Sequence, residues 1–133
     1  MSNKSNSRLH SDACDYFDAM HAALRKKDRD YATRLISEAT HAISKGKVEF
    51  DREPSPSSFI EWDTLLSTAI LWAAKKNGDE PPSWTNLEPL EYPFYLWPIE
   101  ILDNEWIQEI QNDTPFDFAQ KNIWVTENDL SVS

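Results

Sequence analysis

The first part of the chain repeats apolar residues at helical spacing. A helix predicted to begin at Ser11 or Asp12, either of which can cap it, carries one stripe, and a second stripe ends at Gly46. A short polar link, Asp28 to Asp30, separates the stripes. Their members are Ala13, Phe17, Met20 and Leu24, and then Ala32, Leu35, Ile36, Ala39 and Ile43. The pattern therefore predicts a helical hairpin over residues 11–46.

A third helical stripe predicts a central helix over residues 58–77. Ser57 or Ser58 is its expected cap, and Ser58 with Glu61 has the spacing of a capping box. The preceding residues 47–57 contain Pro54 and Pro56 and are typical of a linker. Apolar residues cover most of the helix circumference, which favours contacts on two sides. They are Phe59, Trp62, Leu65, Leu66, Ala69, Ile70, Trp72 and Ala73.

The C-terminal part alternates prolines with aromatic residues and then returns to short helical patterns. Five prolines within residues 79–98 exclude a long helix there, while the interleaved aromatic residues predict an extended strap across the helices. Residues 99–130 predict short helices and a brief strand. One helix is expected from Pro98 to about Gln111, another is capped by Thr114, and the β-prone run is 123–125.

Together these elements predict a mainly α fold in a single globular domain, residues 11–130. We expect four to five helices, a strap rich in proline and tryptophan, and at most one or two short strands near the C-terminus. Residues 1–10 are polar and predict a disordered tail.

Charge is distributed unevenly along these 133 residues. The net charge is −10, and residues 77–133 contain one basic residue, Lys121, against twelve carboxylates. Such a half repels nucleic-acid backbones and anionic lipid, and it speeds encounter with a basic protein. The sequence therefore predicts a basic protein partner, with no direct nucleic-acid or membrane binding.

The single cysteine, Cys14, cannot form a disulfide within the chain, which favours a reducing compartment. The first ten residues have no apolar run like that of a secretory signal, and no stretch of 18 apolar residues occurs. We therefore expect a cytoplasmic protein.

Candidate reactive groups are few. Cys14, Asp18 and His21 share one helix face but have no fourth metal ligand nearby in sequence. The aspartates around Cys14 would raise the pKa of its thiol and oppose nucleophilic catalysis. Two isolated glycines, Gly46 and Gly78, cannot form a phosphate-binding loop. The sequence therefore predicts no catalytic, metal-binding or cofactor-binding residues and no enzyme, and a small hydrolase using a carboxylate pair is the less favoured alternative.

Several short motifs occur in an order that resembles a bacterial module. They are EWDTLL at 61–66, PPSWT at 81–85, TPxxF at 114–118, NIWV at 122–125 and DL at 129–130. The module resembles the C-terminal part of actinobacterial helix-turn-helix regulators from proposed toxin–antitoxin pairs. Within these motifs the residues expected to have structural roles are Trp62, Asp63, Leu66, Trp84, Thr114, Pro115, Phe118, Ile123, Val125 and Leu130.

No recognition helix precedes residue 20, so the DNA-binding half of such regulators is not part of this sequence. The resemblance therefore implies an antitoxin-like regulator that neutralises a more basic partner by direct contact. Its expected contact residues combine aromatic anchors with carboxylates: Tyr92, Tyr95, Trp97, Glu100, Asp103, Glu105 and Glu109. The main alternative is a phage-type acidic inhibitor that mimics the charge of nucleic acid. The sequence leaves the oligomeric state open, a homodimer included.

Overall fold

The computed structural model describes residues 12–96 and 103–130. Three long helices, α1 (Ala13–Arg25), α2 (Arg29–Ser44) and α3 (Ile60–Lys76), follow one another, with α2 packed against both α1 and α3. The predicted tail, residues 1–10, lies outside the described residues, as do Trp97, Pro98 and Glu100.

The helical hairpin forms because polar residues cap both of its helices. The Asp12 carboxylate accepts a hydrogen bond from the Cys14 amide at 2.8 Å, and the Asp28 carboxylate accepts one from the Tyr31 amide at 3.1 Å. Each bond satisfies an amide that the first helical turn would leave without a partner. Lys27 connects the helices with a φ of 60°, the left-handed conformation that reverses the chain.

Helix α3 occupies the centre of the fold, as its wide apolar surface predicts. Ten of its seventeen residues are buried, including Leu65, Leu66 and Ile70. They pack with side chains of α1 and α2 into one core whose largest fully buried members also include Tyr16, Phe17, Met20, Leu35 and Ile43.

The start of α3 differs from the expected capping box. The helix begins at Ile60, and Phe59 stands at the cap position without a side-chain hydrogen bond. Ser57 instead accepts a hydrogen bond from the Phe59 amide at 3.0 Å and donates one to the Asp63 carboxylate at 2.7 Å. Ser57 therefore fixes the turn before α3, because its hydroxyl reaches Asp63 in the first turn of that helix.

After α3 the chain crosses the helices in mostly extended segments. A short 3₁₀ helix, Ser83–Thr85, is followed by strand β1 (Phe94–Tyr95). Helices α4 (Asn104–Asp113) and α5 (Phe116–Ala119), strand β2 (Ile123–Trp124) and a 3₁₀ turn at Asn128–Leu130 complete the described chain. Strand β1 pairs with β2 in parallel, with Phe94 opposite Ile123. The prediction of a mainly helical fold with short strands near the C-terminus is confirmed.

Two boundaries in this region differ from the sequence prediction. Helix α4 begins at Asn104 and extends to Asp113, and the Thr114 hydroxyl donates to the Ile110 carbonyl rather than capping the next helix. Pro115 is the cap residue of α5, one position before its first helical residue. A β-hydroxyl can bond back to the carbonyl four residues earlier, so Thr114 ends α4 instead of starting α5.

Two side chains, Arg29 and Trp84, hold the extended segments in place. Arg29, the first residue of α2, donates to the Tyr95 and Leu96 carbonyls, and its guanidinium lies 5.2 Å from the centre of the Trp62 ring. The Trp84 indole N–H donates to the Phe50 carbonyl at 3.0 Å.

Within residues 12–96 and 103–130, none of the helices has the length and apolarity that crossing a bilayer requires.

Candidate functional site

The acidic row of α4 consists of Glu105, Glu109 and Asp113. These residues recur at four-residue steps, so they lie along one side of the helix, and all three are exposed. In the described part of the chain none of them forms an ion pair. Three unpaired carboxylates along one helix produce a negative surface that faces solvent.

Trp106 borders this row. At 100° per residue it projects between the inward side of α4, marked by Ile110, and the acidic row. The side chain of Trp106 is 54% exposed, whereas Ile110 is buried and is the one buried residue of α4. A large aromatic surface beside carboxylates is typical of a protein-binding site, since aromatic residues are enriched among those that contribute most to binding.

Two further aromatic residues are exposed in the segments before and after α4. Tyr92, two residues before β1, is 74% exposed, and Phe116, the first residue of α5, is 72% exposed. Exposed aromatic residues scattered singly are common on protein surfaces. Tyr92 and Phe116 occur in the two segments that flank α4 in sequence.

Tyr95 contacts both α4 and the small sheet. Its ring stacks on Trp124 with centroids 6.5 Å apart, and its hydroxyl accepts a hydrogen bond from the Gln111 amide group at 2.8 Å. The side chain is half-buried. Tyr95 therefore positions α4 and still shows part of its ring to solvent.

Asp103 has a structural task in addition to its charge. Its carboxylate accepts a hydrogen bond from the Trp106 amide at 2.8 Å, which makes it the N-cap of α4. Asp103 is exposed. Of the seven expected contact residues, Asp103, Glu105 and Glu109 are in or at the start of α4 and Tyr95 contacts it. Tyr92 is exposed before β1, and Trp97 and Glu100 lie outside the described residues.

Three lysines in the C-terminal half of the described chain have partners outside α4. Lys75 pairs with Asp117 at 3.1 Å, and Lys76 lies 3.7 Å from Glu127 and 4.2 Å from the centre of the Trp72 ring. Lys121 donates to the Asn86 side chain at 2.7 Å and to a neighbouring backbone carbonyl. Among the described residues, the acidic row of α4 therefore has no cationic partner.

The residues expected to have structural roles lie mainly in the interior. The six that are buried are Trp62, Leu66, Phe118, Ile123, Val125 and Leu130. The four that are half-buried are Asp63, Trp84, Thr114 and Pro115. Several join different elements: Trp62 meets Phe94 edge-on at 5.6 Å, and Trp84 meets Phe17 at 5.9 Å.

The three residues considered as a metal site have separate partners. The Cys14 thiol donates to the Arg52 carbonyl at 3.5 Å, His21 contacts Asp63, and Asp18 is exposed. Burial first, and then Asp12 beside it, raise the pKa of the Cys14 thiol, in the direction expected from the neighbouring aspartates. Among the described residues no group of three His, Cys, Asp or Glu side chains is arranged to hold a metal ion.

A cluster of Ser57, Asp63 and His21 contains the residue types of a hydrolase triad in a different order. The Asp63 carboxylate lies between the other two, at 2.6 Å from His21 Nε2 and 2.7 Å from Ser57 Oγ. In a catalytic triad the imidazole lies between the hydroxyl and the carboxylate so that it can take the hydroxyl proton. This cluster therefore joins the turn before α3 to α1 and α3 and does not activate the serine.

Sequence reasoning did not single out Trp106 and Phe116 as exposed. In sequence Trp106 falls within an apolar stripe with Ile107 and Ile110, and the signal that distinguishes it is its position next to the acidic residues of α4 on the helical wheel. A residue at the edge of an apolar stripe is the one a short helix exposes.

Comparisons of this chain with family models, with curated proteins and with solved structures give no significant match. The resemblance to the regulators of toxin–antitoxin pairs therefore stays a prediction.

Proposed function

We propose that this protein is an antitoxin-like binding protein that neutralises a more basic partner protein by direct contact. The observation that carries the proposal is the acidic row of α4 (Glu105, Glu109 and Asp113) beside the half-exposed Trp106, on a helix that buries only Ile110. The row supplies long-range attraction and the indole supplies apolar contact area.

The acidic row favours a basic partner for an electrostatic reason. Unpaired carboxylates on one helix raise the rate at which a positively charged surface meets them in the correct orientation. They also oppose close contact with a nucleic-acid backbone. Bound this way, the protein acts by covering a surface of its partner, which is how an antitoxin without enzymatic activity inhibits a toxin.

The test uses the product of the neighbouring gene as the candidate partner. The two proteins are co-expressed and co-purified, and growth is compared with that of cells expressing the partner alone. We expect a stable complex and relief of toxicity. Absence of a complex, or growth inhibition that persists in its presence, would contradict the proposal.

The contact surface is tested by charge reversal. We expect Glu105→Lys with Glu109→Lys to slow association about tenfold or more at low salt, with the difference shrinking as ionic strength rises. The matched control is Asp18→Lys with Glu49→Lys, which makes the same change of charge at exposed positions in α1 and the linker. Equal association rates for both double variants would exclude steering by α4.

The same complex separates the proposal from nucleic-acid mimicry. An inhibitor that mimics nucleic acid occupies the partner's DNA- or RNA-binding surface, so duplex DNA or RNA would displace it. We expect the complex to persist when an excess of either nucleic acid is added.

A further inference from the structure

A cavity of about 230 Å³ opens between α1, α3, the linker and the Ser83–Thr85 helix. It is separate from α4. Its walls are mainly apolar and come from four segments of the chain: Phe17, Pro54, Pro56, Ile60, Trp84 and Leu87. Concave, mostly apolar sites with a few polar groups are typical of small-molecule binding.

The Ser67 side chain supplies a polar group to this cavity. Ser67 is 2% exposed and lines the cavity, and its hydroxyl makes no hydrogen bond within the described part of the chain. One turn earlier, the Thr64 hydroxyl donates to the Ile60 carbonyl at 2.8 Å and is satisfied. Because this hydroxyl lines the cavity, water or a ligand in the cavity can reach it. The Ser67 hydroxyl is thus available to a ligand.

The wall residues are held in position by contacts with one another and with the rest of the fold. The Trp84 indole is fixed by its hydrogen bond to the Phe50 carbonyl, and its ring meets Phe17 edge-on. Asp63 is held by Ser57 and His21. A ligand therefore enters a preformed site and does not have to order these side chains.

Charge around the cavity selects against anions. Its ionisable lining groups are Asp63 and Glu53, both carboxylates. Ile60 also lines the cavity and is 63% exposed, so part of the apolar wall reaches the protein surface. The carboxylates repel an anion, and the mainly apolar walls do not offset the desolvation of a buried charge of either sign, so a neutral ligand with an apolar body is favoured.

We propose that this cavity binds a neutral aromatic molecule of one or two rings with a single hydrogen-bonding group, the chemical class of phenol and indole. A protein cavity of about 150 Å³ is known to hold benzene, so the larger volume here accommodates a fused ring. The ring contacts the walls, and its polar group bonds to the Ser67 hydroxyl.

The experiment titrates indole, phenol and benzoate into the whole protein and follows the methyl NMR signals of Ile60 and Leu87. We expect indole and phenol to shift both signals in a saturable manner. Benzoate is a benzene ring that carries a negatively charged carboxylate in place of the hydroxyl of phenol, and it should bind at least about tenfold more weakly. Equal binding of benzoate, or no shift at the solubility limit of indole, would overturn the proposal.

Two variants localise the binding. Ser67→Ala removes only the hydroxyl, and we expect about a tenfold loss of indole affinity, the value of one hydrogen bond. Leu87→Trp narrows the half-buried wall of the cavity and should abolish binding. Ser83→Ala, at an exposed serine outside the cavity, is the matched control and should bind as the parent does. Unchanged affinity in both Ser67→Ala and Leu87→Trp would show that indole binds elsewhere.

Discussion

His21 Nε2 in α1 lies 2.6 Å from Asp63 Oδ1 in α3, so a polar contact joins two helices that pack mainly through α2. The imidazole also stacks on Phe59, with ring centroids 5.9 Å apart. Because His21 is buried and Asp63 half-buried, the pair is shielded from water on most sides. The contact therefore stabilises the arrangement of α1 against α3.

Removing Asp63 should cost more stability than removing an exposed aspartate from the same region. We expect Asp63→Ala to lower the free energy of unfolding by about 1.5–3 kcal/mol, since it leaves His21 and Ser57 without their shared acceptor. Asp18→Ala, at an exposed position of α1, should change it by less than about 0.5 kcal/mol. Urea denaturation measures both, and equal values would mean that the Asp63 contact contributes nothing.

Two tryptophans should behave in opposite ways when replaced by alanine. Trp62 is 6% exposed and packs on Phe94, so Trp62→Ala should cost about 3–5 kcal/mol. Trp106 is 54% exposed, so Trp106→Ala should cost less than about 1 kcal/mol. Thermal and urea unfolding give both values. A large stability loss in Trp106→Ala would show that its ring belongs to the core and would remove it from the proposed contact surface.

Stability at low pH should depend on Asp12. Burial raises the pKa of this carboxyl, but hydrogen bonds from Cys14 and the charge of Arg52 outweigh it and lower the pKa below the ordinary value of 3.8. A lowered pKa in the folded state gives stability that is complete above 3.8 and is lost as the pH falls through the folded-state pKa.

Asp12→Asn tests this dependence because asparagine also caps helices well. Near pH 7 the variant should be less stable than the parent, and the difference should shrink as the pH falls through the lowered folded-state pKa of Asp12, where its side chain also becomes neutral. Urea unfolding at several pH values measures the difference, and Asp18→Asn controls for the loss of one carboxylate from α1. A difference that stays constant with pH would contradict the role of the ionised form.

Arg29 should control how firmly β1 is held. Arg29→Ala removes the hydrogen bonds to the Tyr95 and Leu96 carbonyls and the contacts with Trp62 and Phe94. We expect exchange of the Phe94 amide hydrogen, which bonds to the Asn122 carbonyl, to accelerate by at least about tenfold. Amides in the middle of α2, such as that of Ile36, should be affected less. Equal acceleration at both places would indicate a general loss of stability.

The sequence predicted the three long helices because their apolar residues recur at helical spacing over thirteen residues or more. It did not predict the parallel pairing of Phe94 with Ile123, because two-residue strands carry no periodicity and the pairing depends on contacts distant in sequence. For a similar reason the sequence placed Thr114 at the start of α5 instead of the end of α4, and Ser57 at the cap of α3 instead of in the turn before it. Their hydroxyls had two acceptors within reach, and tertiary packing decided between them.

The candidate site was predicted in part. Glu105 and Glu109 were identified from charge, which is visible in the sequence, and both are exposed. The exposure of Trp106 depends on which side of α4 meets the core, and a ten-residue helix with few apolar residues leaves that side ambiguous. The capping role of Asp103 is likewise a matter of where the helix starts, and helix boundaries are hard to place from sequence.

The parallel pairing of β1 with β2 has a consequence for how α4 is attached. Parallel strands cannot be joined by a tight turn, so the chain must leave Tyr95 and travel through α4 and α5 before it returns at Ile123. The pairing of β1 with β2 joins the two ends of this connecting segment, and within α4 the one buried residue is Ile110. Local opening of α4 should therefore cost less free energy than opening of the three-helix core, and a molecule bound to α4 should raise that cost.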